Sequence, residues 1–154
     1  MDLLVVGATP LVLGMSVGAL VGHDRAKASY ASVKKPSWSP PPAAFGVVWA
    51  ALYALMGASC VLVYRKRKNN KAADVALYLF AAQLLLNLAW SPIYVGLGAR
   101  RAALALLLAL DALLIATVFA FARVDVTAAW LLAPYVAWLG VATLLNASVV
   151  SMNP

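Results

Sequence analysis

The sequence predicts an all-α integral membrane protein: a five-transmembrane-helix bundle in a single membrane domain over residues 1–154, with a long Pro/Trp-rich loop between helices 1 and 2. Three observations predict it. Hydrophobic residues make up 65% of the chain and charged residues 11%, less than half the roughly 25% typical of soluble domains. All five acidic residues are aspartates, so the chain lacks the charge to coat a soluble helical fold. Uncharged runs lie at 3–22, 43–64, 75–99 and 126–154, with one more at 102–122 broken only by Asp111. Each reaches the roughly 20 residues that a helix needs to cross a hydrocarbon core.

Helix 1 is placed at 3–22. It opens Met-Asp without basic residues and no A-x-A-like site follows, so it reads as a retained span and not a signal peptide. Gly14, Gly18 and Gly22 recur every fourth residue, a spacing that lets two helix backbones approach closely in lipid. Their partner is another helix of the bundle or a second copy of the chain, which makes them the candidate dimerisation face.

The segment from His23 to about Pro42 is the one long connection, and 34–49 reads KKPSWSPPPAAFGVVW. Pro36, Pro40, Pro41 and Pro42 fix their own φ and push the preceding residues to extended conformations. The loop is therefore stiff, able to lay Tyr30 and Trp38 across the mouth of the bundle as a lid. Pro42 suits the first position of helix 2, where a missing N–H costs nothing.

Helix 2, at 43–64, carries Trp49, Tyr53, Cys60 and Tyr64 on one face. The lone cysteine reads as a small apolar side chain. Helix 3, at 73–98, places Gln83, Asn87, Trp90 and Tyr94 at i, i+4, i+7 and i+11. Unpaired amides facing acyl chains cost several kcal/mol, so this stripe faces inward, as interhelical glue or as a pocket lining. Helix 4, at 102–122, holds Asp111, expected to face the interior with Asn87, Gln83 or Thr117 as its partner. Helix 5, at 127–151, groups Tyr135, Trp138 and Ala142. Trp38, Trp130 and Tyr64 fit an interfacial aromatic belt, whereas Trp49, Trp90 and Trp138 lie deeper in their spans.

The net charge of +7 comes from basic residues in the turns, where they meet lipid headgroups, so a nucleic-acid partner is set aside in favour of the bilayer. Orientation stays open: one side carries six Lys/Arg (five within 65–71, and Arg123), and the other also six (Arg25, Lys27, Lys34, Lys35, Arg100, Arg101).

KPSWSPP, FGVVWAALYALMG, QLLLNLAW and LLAPYVAWLGVATLLN, in that order and spacing from about Tyr30 to Asn146, resemble the tryptophan-rich sensory protein or translocator protein (peripheral benzodiazepine receptor) family. The resemblance implies a five-helix bundle, often dimeric, with a pocket between the helices beneath the first loop. There it would bind porphyrins, synthetic benzodiazepine-site ligands and, in animal members, cholesterol. The implied binding positions are Tyr30, Pro42, Trp49, Tyr53, Gln83, Asn87, Trp90, Tyr94 and Trp138; Trp38, Tyr135 and Ala142 join them from the lid and helix 5 readings. Some bacterial members degrade protoporphyrin in light, and Trp49 and Trp138 would be the catalytic residues of such a reaction. The implied location is the mitochondrial outer membrane in an animal, otherwise a bacterial or other cellular membrane.

The chain departs from the family in having Ser29–Tyr30 where Trp-Tyr is usual. The resemblance gives Asp111 no role. The end, LLNASVVSMNP, lacks the Tyr and Arg of the sterol-recognition pattern; Leu62–Val63–Tyr64–Arg65–Lys66 resembles it only weakly. His23, the only histidine, is placed at the end of helix 1 and makes a poor haem ligand. Metal-free protoporphyrin IX is therefore the expected ligand, with no metal site and no required cofactor. The leading reading is a receptor, sensor or carrier for tetrapyrroles, since a planar macrocycle suits a slot of Trp and Tyr faces. The alternative is a light- and oxygen-dependent porphyrin-degrading enzyme, although no triad, paired carboxylates or metal cluster supports conventional catalysis. An alternating-access transporter is disfavoured by the lack of an inverted repeat.

Overall fold

The computed structural model describes residues 2–154, and it is helical throughout its five spans. Helix α1 is Leu3–Val21, begun by the Asp2 carboxylate accepting from the Leu4 N–H at 3.1 Å. Helix α3 is Pro42–Lys66, with Pro42 at its first position as expected. Helix α4 is Lys71–Ser91, helix α5 is Arg100–Ala122, and the fifth span is two pieces, α6 (Val126–Leu131) and α7 (Ala133–Met152). Charged residues at the span ends stay within the helices, because long basic side chains can reach the headgroups while their backbones continue the helix.

Two local features shape the spans and the loop, and the first differs from the sequence reading. The first half of the long loop is itself a helix, α2 (His23–Ala31), so His23 starts this helix instead of ending the first span. Gly22, at φ +87°, makes the turn between them, in a backbone region that favours glycine. The stretch HDRAKASYA contains three alanines and no proline, which suits a short helix; the prolines stiffen only the second half. The other feature is backbone adjustment at proline. From Pro92 the third span widens into a π-helical turn, Pro92–Gly96. Ahead of Pro134 the fifth span breaks at Leu132, whose N–H bonds back to Ala129 at 3.1 Å; proline offers no N–H and crowds the carbonyl four residues earlier.

Helix α1 packs along α3 and also touches α4; α4 packs on α5, α5 on α7, and α6 on α3. Small residues set the α1–α3 spacing. A methyl group on Gly57 would collide with the Gly7 carbonyl, and one on Gly14 would overlap the Tyr53 ring. Gly14 is thus used inside the bundle, Gly18 faces open space, and Gly22 shapes the turn. The core between α3, α4, α5 and α6 includes fully buried Met56, Ala76, Leu110, Phe121 and Ala128. Phe80 stacks on Phe121 at 5.6 Å, and Ser59 donates to the Ala128 carbonyl at 2.7 Å. Leu4, Leu20, Tyr78, Leu85 and Phe119 point outward, as side chains facing acyl chains do.

Candidate functional site

Helix α7 packs closely on α5, without comparable backbone contact to α3 or α4. Side chains fill the space this leaves, and the predicted residues meet there. Tyr53 donates to Asn87 Oδ1 at 2.7 Å, Asn87 Nδ2 donates to the Tyr135 hydroxyl at 2.9 Å, and Tyr135 donates to Gln83 Oε1 at 2.9 Å. The chain of donors runs from α3 through α4 and α7 and ends on Gln83 Oε1, while Gln83 Nε2 is buried without a partner. Spacing four apart on α4 aims both amides at the same side, and burial leaves them only each other's neighbours to satisfy them.

Aromatic rings close the space around this network. Trp49 lies 5.5 Å from Tyr53 and meets Tyr135 edge-on at 6.1 Å. Trp138 meets Phe45 edge-on at 5.7 Å, and Phe45 meets Tyr30 in the same way at 5.5 Å. The Trp138 indole N–H is buried and, like Gln83 Nε2, has no partner. Trp90 stacks on Tyr94 at 4.8 Å and donates to Asn146 Oδ1 at 3.3 Å, while Asn146 donates to the Arg100 carbonyl at 3.0 Å. The cluster is therefore shut by its own rings. Open cavities lie elsewhere, one of about 320 Å³ beside Arg100 and Asn153, another of about 670 Å³ beside Tyr64 and Arg67.

Both halves of loop 1 are clipped over the bundle. Arg25 donates to the Gly96 carbonyl at 3.0 Å. The Lys34 N–H donates to Asn153 Oδ1 at 3.0 Å while Asn153 Nδ2 donates to the Lys34 carbonyl at 2.8 Å. Val33 is buried with Leu145 and Val149. Tyr30 donates to the Pro40 carbonyl at 2.6 Å, and the Lys35 ammonium sits 4.7 Å above its ring. Burial pushes the Tyr30 hydroxyl above its ordinary range, so it stays a donor.

The structure brings Trp49, Tyr53, Gln83, Asn87 and Tyr135 into one cluster, links Tyr30 to Trp138 through Phe45, and pairs Trp90 with Tyr94 beside Asn146, with Ala142 a turn beyond Trp138 on α7. It does not bring in Trp38, which is 51% exposed and outside the ring contacts. Pro42 is exposed at the start of α3. Cys60 is buried further along α3, and Tyr64 sits beside Arg67 at the far end. Asp111 corrects the expectation made for it: it accepts from Thr143 Oγ1 on α7 at 2.8 Å. Gln83 and Asn87 are engaged with the tyrosines, and Thr117 bonds its own Leu113 carbonyl at 2.7 Å. Phe45, Thr143 and Asn146 were not singled out in the sequence. Asn146 carried a readable signal, since it falls at i+11 from Tyr135 on the Tyr135–Trp138–Ala142 stripe.

No group of three or more His, Cys or Asp side chains positioned to hold a metal occurs among the described residues. Residues 6–152 match the TspO/MBR family. The chain is 41% identical over 135 residues to the translocator protein of Homo sapiens, covering 87% of this chain and 80% of that one. It is 37% identical over 125 residues to the tryptophan-rich protein TspO of Chlorobaculum tepidum, covering 81% and 79%. Over 138 residues it is 33% identical to the tryptophan-rich sensory protein of Cereibacter sphaeroides, covering 90% and 83%. With five apolar spans in order and similarity along nearly their whole length, this chain belongs to the TspO/MBR family.

Proposed function

We propose that this membrane protein is a receptor or carrier for flat aromatic tetrapyrroles, with protoporphyrin IX as ligand, bound between α3, α4 and α7 beneath loop 1. One observation carries the reading. Trp49, Tyr53 and Tyr135 cluster at the seam of α3 and α7, with Trp138 a turn further on, and two buried donors there, Gln83 Nε2 and the Trp138 indole N–H, have no acceptor. Aromatic faces stack on a macrocycle, and orphaned donors are satisfied by its acceptors. Other flat hydrophobic ligands of the benzodiazepine-site type meet the same requirement. Sterols meet it less well, being neither flat and aromatic nor rich in acceptors.

The test is titration of protoporphyrin IX into the purified protein, in the dark and under illumination, following tryptophan fluorescence and porphyrin absorbance. Saturable quenching with absorbance preserved is the expected result. Trp49→Phe with Trp138→Phe should weaken the quenching. Light-driven loss of porphyrin that this double variant abolishes would instead assign the site to oxygen-dependent degradation. The absence of saturable quenching would remove the tetrapyrrole reading.

A further inference from the structure

We propose that the cleft at the end of the bundle away from loop 1 is a binding site for an anionic phospholipid, independent of the site between α3, α4 and α7. The cleft, about 670 Å³, is lined by Leu3 of α1, by Tyr64, Arg65, Arg67 and Lys68 where α3 passes into its turn, and by Asp74 in the first turn of α4. The basic residues here divide by their partners. Lys66 is taken up by Asp125 at 2.8 Å and by the Val124 carbonyl at 3.2 Å, and it does not line the cleft. Arg67 is steadied over the Tyr64 ring at 5.0 Å, and its Nε lies 3.4 Å from Asp74, both side chains being 46% exposed. So long and solvated a contact is weak and readily exchanged for a better acceptor. Arg65 and Lys68 make no ion pair among the described residues.

The cations form only the mouth. Helices α1 and α4, which pack together, continue from it into the bilayer with Leu4, Val5, Val75 and Tyr78 exposed. A cationic mouth above an apolar wall matches one chemical class, an amphiphile with an anionic phosphate headgroup and acyl chains. A free anion would leave the wall unused. A sterol would leave the cations unused, and Lys66 of the Leu62–Lys66 pattern is engaged by Asp125 and the Val124 carbonyl outside the cleft. Guanidinium groups favour phosphate through paired N–H donors, and the bilayer supplies the ligand at high local concentration.

Native mass spectrometry of the full chain in neutral detergent tests this, with dioctanoylphosphatidylglycerol, dioctanoylphosphatidylcholine and inorganic phosphate as probes. The glycerol lipid should bind at least about tenfold more tightly than the choline lipid, and millimolar phosphate should not displace it. Each basic residue near a membrane surface contributes roughly fivefold. Arg65→Gln, Arg67→Gln and Lys68→Gln together should therefore weaken binding on the order of 100-fold, and Lys68→Gln alone, at an exposed and unpaired position, about fivefold. Lys27→Gln, Lys34→Gln and Arg123→Gln remove the same charge elsewhere and should change binding by less than about twofold. Equal binding of the two lipids, an equal loss in the control variant, or displacement by phosphate would each overturn the site. Porphyrin quenching should persist in the Arg65, Arg67 and Lys68 variants, which separates this result from the fate of the tetrapyrrole reading.

Discussion

At position 87 a single amide serves two tyrosines on two other helices, accepting from Tyr53 and donating to Tyr135. Asn87→Leu strands the Tyr53 hydroxyl in a dry interior and leaves Tyr135 bonded to Gln83 alone, at about 1–3 kcal/mol for the unsatisfied group, more than the roughly 0.6 kcal/mol average for a single membrane hydrogen bond. Unfolding by increasing mole fraction of a denaturing detergent should show that loss, and a change below about 0.5 kcal/mol would mean that water reaches the network. The α4 half of this cluster was legible from spacing alone, because amides in an apolar span stand out against their neighbours. Phe45 was not: a phenylalanine among apolar residues gives no contrast, and only the packing shows that it links Tyr30 to Trp138.

Among the elements, α6 is anchored by one carboxylate. Asp125 caps it by accepting from the Ala128 N–H at 3.1 Å and bridges to Lys66 on α3 at 2.8 Å. The Lys66 ammonium first, then the Ala128 N–H, hold this carboxyl below its usual range. A depressed folded-state value stabilises fully above the unfolded carboxylate value of about 4 and loses that contribution as the pH falls through the folded one. Asparagine keeps the cap and drops the charge. Asp125→Asn should therefore melt below wild type at neutral pH, by no more than about 1 kcal/mol for a pair whose lysine is half exposed, and the two curves should converge below pH of about 4. Parallel curves down to acid pH would show that the Lys66 bridge contributes nothing. In loop 1, Pro40→Gly with Pro41→Gly frees the open state and should speed ligand dissociation roughly two- to tenfold. Trp38→Ala should leave it unchanged, since that ring stands outside the cluster. Unchanged rates in the glycine pair would reduce the loop to a connector. The prolines made the stiff half of this loop readable, and they also drew attention from the preceding nine residues, whose helix is set by local propensity and the turn at Gly22.

For the molecule as a whole, class and span number were written in the absence of charge, which no soluble fold tolerates over such lengths. Which faces meet was less legible, because lipid and core are equally apolar and a glycine stripe does not name its partner. The structure divides the stripe, and the division is testable. Gly14→Leu forces a side chain into Tyr53 and should cost about 1–3 kcal/mol without altering the mass of the solubilised particle. Gly18→Leu meets no neighbour within the chain and should leave the melting temperature unchanged. A fall in particle mass confined to Gly18→Leu would assign that part of α1 to a second copy, and an unchanged mass would leave it facing lipid.

The seam between α3 and α7 is closed by rings and not by backbone packing, with Phe45 against Trp138 and Trp49 against Tyr135. On the tetrapyrrole reading, ligand entry is a substitution reaction: each ring would surrender a ring neighbour and receive the ligand's face in return. Aromatic pairs of this kind contribute about 0.5–1.5 kcal/mol beyond their buried area, and these contributions cancel to first order between the closed and loaded states. Stacking surface admits a whole class of flat molecules without ranking its members. Discrimination falls on what the seam cannot supply to itself, an acceptor for Gln83 Nε2 and another for the Trp138 indole. Two ligands of equal area should separate by where they carry their lone pairs.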